Sequence, residues 1–218
     1  MRRGKAISDR SRPVSVAITG GMGAGKSVVS QFLATRLACR LLSADLICRT
    51  LLNPGEEAWY AFVELFGKRY VDSDGNILRS LLRRHIFENA DLRQGLEAIL
   101  HPLARKEIQK QTTSCNNSGK SVLVEVPLLF EVGWQDDFDE VIVVYAVEEV
   151  CLARICQRDG VTAAEARKEF SSQIPVIKKV MSADHVVDNS GCWAATLLQL
   201  IHLCEILSEL TGFGGKNT

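Results

Sequence analysis

The stretch GGMGAGKS at residues 20–27 restricts the chain to few folds, because such a loop works only between a buried strand and a helix. Gly20, Gly25, Lys26 and Ser27 satisfy the spacing G-x-x-x-x-G-K-[ST]. Glycines let backbone N–H groups turn inward around phosphate oxygens, where side chains would collide. A lysine at that position reaches β and γ phosphates, and the serine hydroxyl is a hard oxygen ligand for Mg²⁺. Upstream, VSVAIT at 14–19 is small, β-branched and followed directly by glycine, which reads as a buried strand. Downstream, Val28, Val29, Phe32, Leu33 and Leu37 recur at helical spacing, and that helix starts with its positive dipole end toward the anion. Residues Gly21, Met22, Gly23, Ala24, Gly25, Lys26, Ser27 and Val28 are therefore expected to bind a nucleotide, ATP in the reading developed below.

Further strands are expected in RLLSAD, ending at Asp45, in SVLVEV at 121–126, in EVIVVYA at 140–146 and in HVVDN at 185–189. Runs such as VIVV indicate strands covered on both faces, as in a parallel sheet. The expected fold is α/β, three-layer α/β/α with a five-stranded parallel sheet. Its core takes in 14–50, 120–150 and 183–211, with a helical acceptor-binding insertion at about 51–119 and a small lid at about 151–182. Residues 1–13 and 212–218 read as tails.

Lys plus Arg equals Asp plus Glu at 26 each, so no broad basic field draws nucleic acid or an acidic membrane. No run approaches the roughly 18 apolar residues of a membrane span. The basic start lacks the apolar core of a secretory signal, so Asn116-Asn117-Ser118 reads as a polar loop and not a glycosylation site. Seven cysteines without a Cys-x-x-Cys pair, mostly in apolar stretches, suit buried free thiols in a reducing cytosol. A soluble cytoplasmic protein follows, a monomer or small homo-oligomer with no nucleic-acid or membrane partner.

Asp72-Ser73-Asp74-Gly75 matches a GTPase D-x-x-G, but no Asn-Lys-x-Asp guanine reader follows, and a tight turn explains it. A compact kinase instead needs a carboxylate near the acceptor hydroxyl and cations around the transferring phosphoryl group. Asp45 is placed to supply the first, on the rim where the glycine loop emerges; capping the helix that starts at Leu46 is the competing role. On a helical wheel of residues 147–160, Arg154 and Arg158 fall toward the apolar stripe, as a pair turned into a cleft would, or as stems lying along the core edge.

From Val14 to about Leu210 the chain resembles the dephospho-coenzyme A kinase family of P-loop kinases. The resemblance rests on TGGMGAGKS, SADLICR, NPG, DGNILR, LEAILHP, VPLLFE, RICQRDG, SQIP and ADHVVDNSG, in that order. It implies phosphorylation of the ribose 3′-hydroxyl of dephospho-coenzyme A by ATP with Mg²⁺. It also implies Asp45 as catalytic base, and Lys26 and Arg154 as catalytic cations. Arg158 and Asn189 lie on the ATP side, and Ser27 on the metal. Asp45, Arg49, Arg79, His101, Leu128 and Glu131 lie on the acceptor side. Plainer roles stay open for three of these: a turn for Asn189, a core or helix-end position for His101, core packing for Leu128. The chain departs from the family pattern at Ser43, where an aspartate is usual, at Glu125, which replaces an aspartate, and at Ile177-Lys178, which replaces an acidic pair. Two other readings compete: a kinase of another small acceptor, such as a nucleoside monophosphate or a sugar, and a catalytically silent nucleotide-binding regulator.

Overall fold

The structure is a computed structural model describing residues 12–211, so the expected tail at 212–218 and most of that at 1–13 lie outside the described residues. Arg12 does not belong to a loose tail: its guanidinium donates to Asp139 Oδ1 at 2.8 Å. Residues 44–111 form one compact unit and the described residues on either side of them form another.

The second of these units is built on β1 (Ser15–Gly20), β2 (Arg40–Ser43), β3 (Val122–Glu125), β4 (Glu140–Tyr145) and β5 (His185–Asp188). They pair in the order β2-β3-β1-β4-β5, all parallel. Every residue of β1 is buried, as is all of β4 but Tyr145, so both faces of the sheet centre are covered in a three-layer α/β/α arrangement. Helices α1 (Lys26–Arg36) and α9 (Trp193–Thr211) share one core with it, where Val29, Leu33, Leu200 and Leu207 meet Val16, Ile18, Ile142 and Val144. Because β1 lies between β3 and β4, the loop leaving it opens at the middle of the sheet. That is where α/β sheets bind ligands.

One strand boundary differs from the sequence reading. β2 ends at Ser43, the last residue paired with β3 through Glu125, and Asp45 falls in the first turn of α2 (Ala44–Leu51). β3 offers no strand residue past Glu125, and the chain reaches Pro127, which has no N–H for a ladder. Asp45 is therefore neither strand end nor helix cap.

Unit 44–111 is helical, with α2, α3 (Glu57–Phe66), α4 (Arg79–Glu88) and most of α5 (Ala90–Asn117). Its core joins Phe62, Tyr70, Ile77, Leu82 and Leu92, with the Phe62 and Tyr70 rings 6.0 Å apart. The Asp72 segment is a tight turn: Asp72 Oδ1 accepts from the N–H groups of Asp74 and Asn76, and Val71 bridges Ile77. Helix α5 continues through Pro102 to Asn117, so Asn116-Asn117-Ser118 is a helix end and not a polar loop. Among the described residues no helix is long and apolar enough to cross a membrane.

The seven cysteines are all free, but Cys192 is exposed where a buried thiol was expected. Burial pushes the thiols of Cys39 and Cys48 up to about 11, helped at Cys48 by the Asp45 carboxylate. Only the thiolate reacts with alkylating agents. At pH 8, Cys192 is expected to be labelled first by iodoacetamide, with Cys39 and Cys48 slow until the protein unfolds; mass spectrometry of tryptic peptides over time checks the order.

Candidate active site

The loop between β1 and α1 holds its shape through close contacts that only glycine allows. A Cβ on Gly20 would overlap the Val144 carbonyl oxygen, and one on Gly25 would overlap Asn189 Nδ2. Gly25 also has φ of 91°, a left-handed conformation. Lys26 folds back so that its ammonium donates to the carbonyls of Gly21 at 2.9 Å and Gly20 at 3.4 Å, fixing the charge over the loop. Met22 N–H donates to Gln173 Oε1 at 3.1 Å, so the segment after α7 (Ala163–Phe170) touches the loop directly.

Two side chains brace the loop from the far side. Arg154, on α6 (Glu148–Asp159), donates to the carbonyls of Gly23 at 3.4 Å and Asn189 at 3.0 Å. Asn189 is 6% exposed; its amide donates to Ala24 O at 2.8 Å, and its Oδ1 accepts from Thr196 at 3.0 Å. The buried amide thus shapes the loop backbone. Arg158 differs from its expected pairing with Arg154. It is exposed and forms two hydrogen bonds to the neighbouring Asp159 carboxylate, which meets the guanidinium at the helix end before the chain turns at Gly160.

Glu125, at the end of β3, accepts from Ser27 Oγ at 2.8 Å and from Ser30 Oγ at 2.7 Å. Hydroxyl and carboxylate oxygens side by side are hard donors suited to Mg²⁺, which is characteristically held by one or two carboxylates together with substrate phosphates. Among the described residues no cluster of three or more His, Cys, Asp and Glu gathers, so a metal here would rely on the nucleotide for its remaining ligands. Sequence reading named Ser27 but not Ser30, and saw in Glu125 only a longer carboxylate. The signal was its place at a strand end beside the loop.

After β3, Leu129 is fully buried and Leu128 half-buried, and Glu131 pairs with Lys179 at 2.7 Å.

In unit 44–111, Asp45 and Arg49 stand one turn apart on α2, both exposed, opposite the buried Ala44 and Ile47. Arg79 Nη2 donates to Arg49 O at 3.1 Å. Arg49, Arg79 and Arg83 line a cleft of about 830 Å³ with Leu46, Ile77 and Ile86, so cationic and apolar surface alternate in one space. Arg83 is the addition to the expected set. His101 is half-buried on α5, outside that cleft.

The family model for dephospho-CoA kinase matches residues 14–194. The dephospho-CoA kinase of Desulfotalea psychrophila is 39% identical over 188 residues, covering 86% of this chain and 94% of that protein. Among solved structures, TT1252 from Thermus thermophilus is similar at a TM-score of 0.75 with 28% identity, covering 92% of this chain and 100% of that one. The dephospho-CoA kinase from Campylobacter jejuni is similar at 0.68 with 27% identity, covering 89% and 96%. A phosphate loop at the middle of a five-stranded parallel sheet, the matching family model and relatives at this identity agree: the chain belongs to the dephospho-CoA kinase family.

Proposed function

We propose that the chain transfers the γ-phosphoryl group of ATP to the ribose 3′-hydroxyl of dephospho-coenzyme A, giving coenzyme A in the last step of its biosynthesis, in the cytoplasm. The observation that carries this is the intact phosphate loop, with Lys26 anchored over it and Ser27 joined to Glu125, in a chain of that family.

Phosphoryl transfer asks for positioning and charge neutralisation more than for covalent chemistry. The loop amides from Gly21 to Val28 hold the nucleotide phosphates. Lys26 and Arg154 supply positive charge as negative charge moves onto the leaving group. Ser27, with Glu125 behind it, would hold a Mg²⁺ ion, whose charge would offset that of the nucleotide phosphates. Asp45 takes the proton of the acceptor hydroxyl. Arg49 and Arg79 are assigned to the acceptor diphosphate, and Leu128 to its apolar surroundings; His101 and Glu131 complete the acceptor set. Arg158 and Asn189 serve the ATP side, Asn189 through the loop it shapes.

Incubation with ATP, Mg²⁺ and dephospho-coenzyme A is expected to yield a product heavier by one phosphoryl group. ³¹P NMR should place that group as a monoester on the ribose 3′ position, and a chelator should abolish its formation. A 2′ product, or none, would contradict the reading. Glu125→Gln removes the charge behind Ser27. It is expected to raise the Mg²⁺ concentration for half-maximal turnover roughly 10- to 100-fold, with thermal stability little changed, as a metal titration would show.

A further inference from the structure

The peptide unit between Gly21 and Met22 carries hydrogen bonds that point opposite ways. Among the described residues no peptide bond is cis, so each carbonyl faces away from the N–H that follows it. On one side Met22 N–H donates to Gln173 Oε1 at 3.1 Å. On the other, Gly21 O accepts from the Lys26 ammonium at 2.9 Å and from Ala24 N–H at 3.2 Å, which uses both of its lone pairs. The tilt of one rigid plane therefore couples Gln173 to Lys26.

Gly21 has no Cβ to limit the rotation of this plane, and Gly20 precedes it, so a partner outside the loop sets the tilt. Gln173 is itself held for that task. It lies in the connection between α7 and α8 (Val176–Met181), where its own N–H donates to Phe170 O at 3.4 Å. The next N–H, of Ile174, donates to Glu131 Oε1 at 3.2 Å, and that carboxylate is paired at 2.7 Å with Lys179, whose side chain is fully buried. Met22 is steadied in turn by its side chain, which packs against Leu152, Ile155 and Ala166.

A lysine ammonium is a point charge on a flexible four-carbon stem, and its direction comes from the acceptors it meets. We propose that Gln173 is a positioning residue for phosphoryl transfer: by accepting from Met22 N–H it turns Gly21 O toward Lys26, and so sets the direction of the charge that Lys26 brings to the nucleotide phosphates. This rests on the reading of Lys26 as a cation that meets those phosphates. A tie that merely fastened the α7–α8 connection to the loop would act independently of Lys26.

Gln173→Met keeps the length of the side chain and removes the acceptor. In the full chain it is expected to weaken ATP binding roughly 5- to 10-fold by calorimetry and to lower kcat about tenfold. KM for dephospho-coenzyme A should stay within about twofold, a split that general loosening of the fold would not give. Exchange of the Met22 amide hydrogen, followed by NMR, should become faster by about tenfold or more.

A second background tests the route through lysine. Added to Lys26→Met, the same change should alter ATP affinity by less than about twofold, because the group it positions is gone. Equal penalties in the two backgrounds would make Gln173 a fastening of the fold and overturn the proposal, as would wild-type ATP affinity in Gln173→Met. Should Gln173→Met melt early, Gln173→Asn withdraws the acceptor by one methylene while staying polar, and the same outcomes apply. ATP affinity and amide exchange are read without turnover. Failure of the wild type to phosphorylate dephospho-coenzyme A would therefore strike the functional reading and leave these outcomes standing.

Discussion

Asp45→Asn is expected to lower kcat about 100- to 10,000-fold, the range for losing a positioned general base, while ATP affinity stays within about twofold. The replacement is nearly isosteric, so it removes the ability to take a proton while keeping the shape of the side chain. Asp45 is exposed in the first turn of α2, and the packing of that helix belongs to Ala44 and Ile47. Loss of a favourable charge at a helix start costs about 0.5 kcal/mol, too little to unfold the unit. Stopped-flow or coupled-assay kinetics beside calorimetric ATP titration separate the two quantities. Normal kcat in this variant would reduce Asp45 to a helix-end charge and leave the acceptor proton without a base.

Gly25→Ala is expected to weaken ATP binding on the order of tenfold or more and to lower the melting temperature. Two costs combine. A non-glycine residue at φ of 91° is strained by about 1–3 kcal/mol. The new methyl also overlaps Asn189 Nδ2, which cannot swing aside because its amide is tied to Ala24 O and Thr196 Oγ1. The loop must move instead, taking with it the amides assigned above to the nucleotide phosphates. Adding Asn189→Ala should relieve the overlap but not the dihedral strain, so recovery should be partial. Wild-type ATP affinity in Gly25→Ala, measured by calorimetry, would contradict the picture of a loop braced from behind.

The central strands β1, β3 and β4 were legible because a parallel sheet buried on both faces writes them as apolar runs, and VIVV or VLV admits few alternatives. The end of β2 was less legible. Ser-Ala-Asp carries no proline or glycine, and only the pairing with β3 fixes Ser43 as the last strand residue. The phosphate loop could be read from spacing alone, because its chemistry depends on neighbours in the chain. What holds the loop depends on distant residues. Lys178 and Lys179 are adjacent and alike in sequence, yet the first is exposed and the second buried against Glu131, a difference set by where α8 packs. Arg154 and Arg158 divide similarly: both lean to the same side of α6 on a wheel, but the helix ends at Arg158's neighbour, whose carboxylate takes it. Glu125 with Ser27 and Ser30 needs α1 laid along β3, a contact no local pattern predicts.

The most direct test is ADP release by the full chain with ATP and Mg²⁺, comparing dephospho-coenzyme A with AMP, shikimate and gluconate as acceptors. Turnover with dephospho-coenzyme A alone is the predicted result. Preference for another acceptor, or ATP binding without turnover of any, would contradict it.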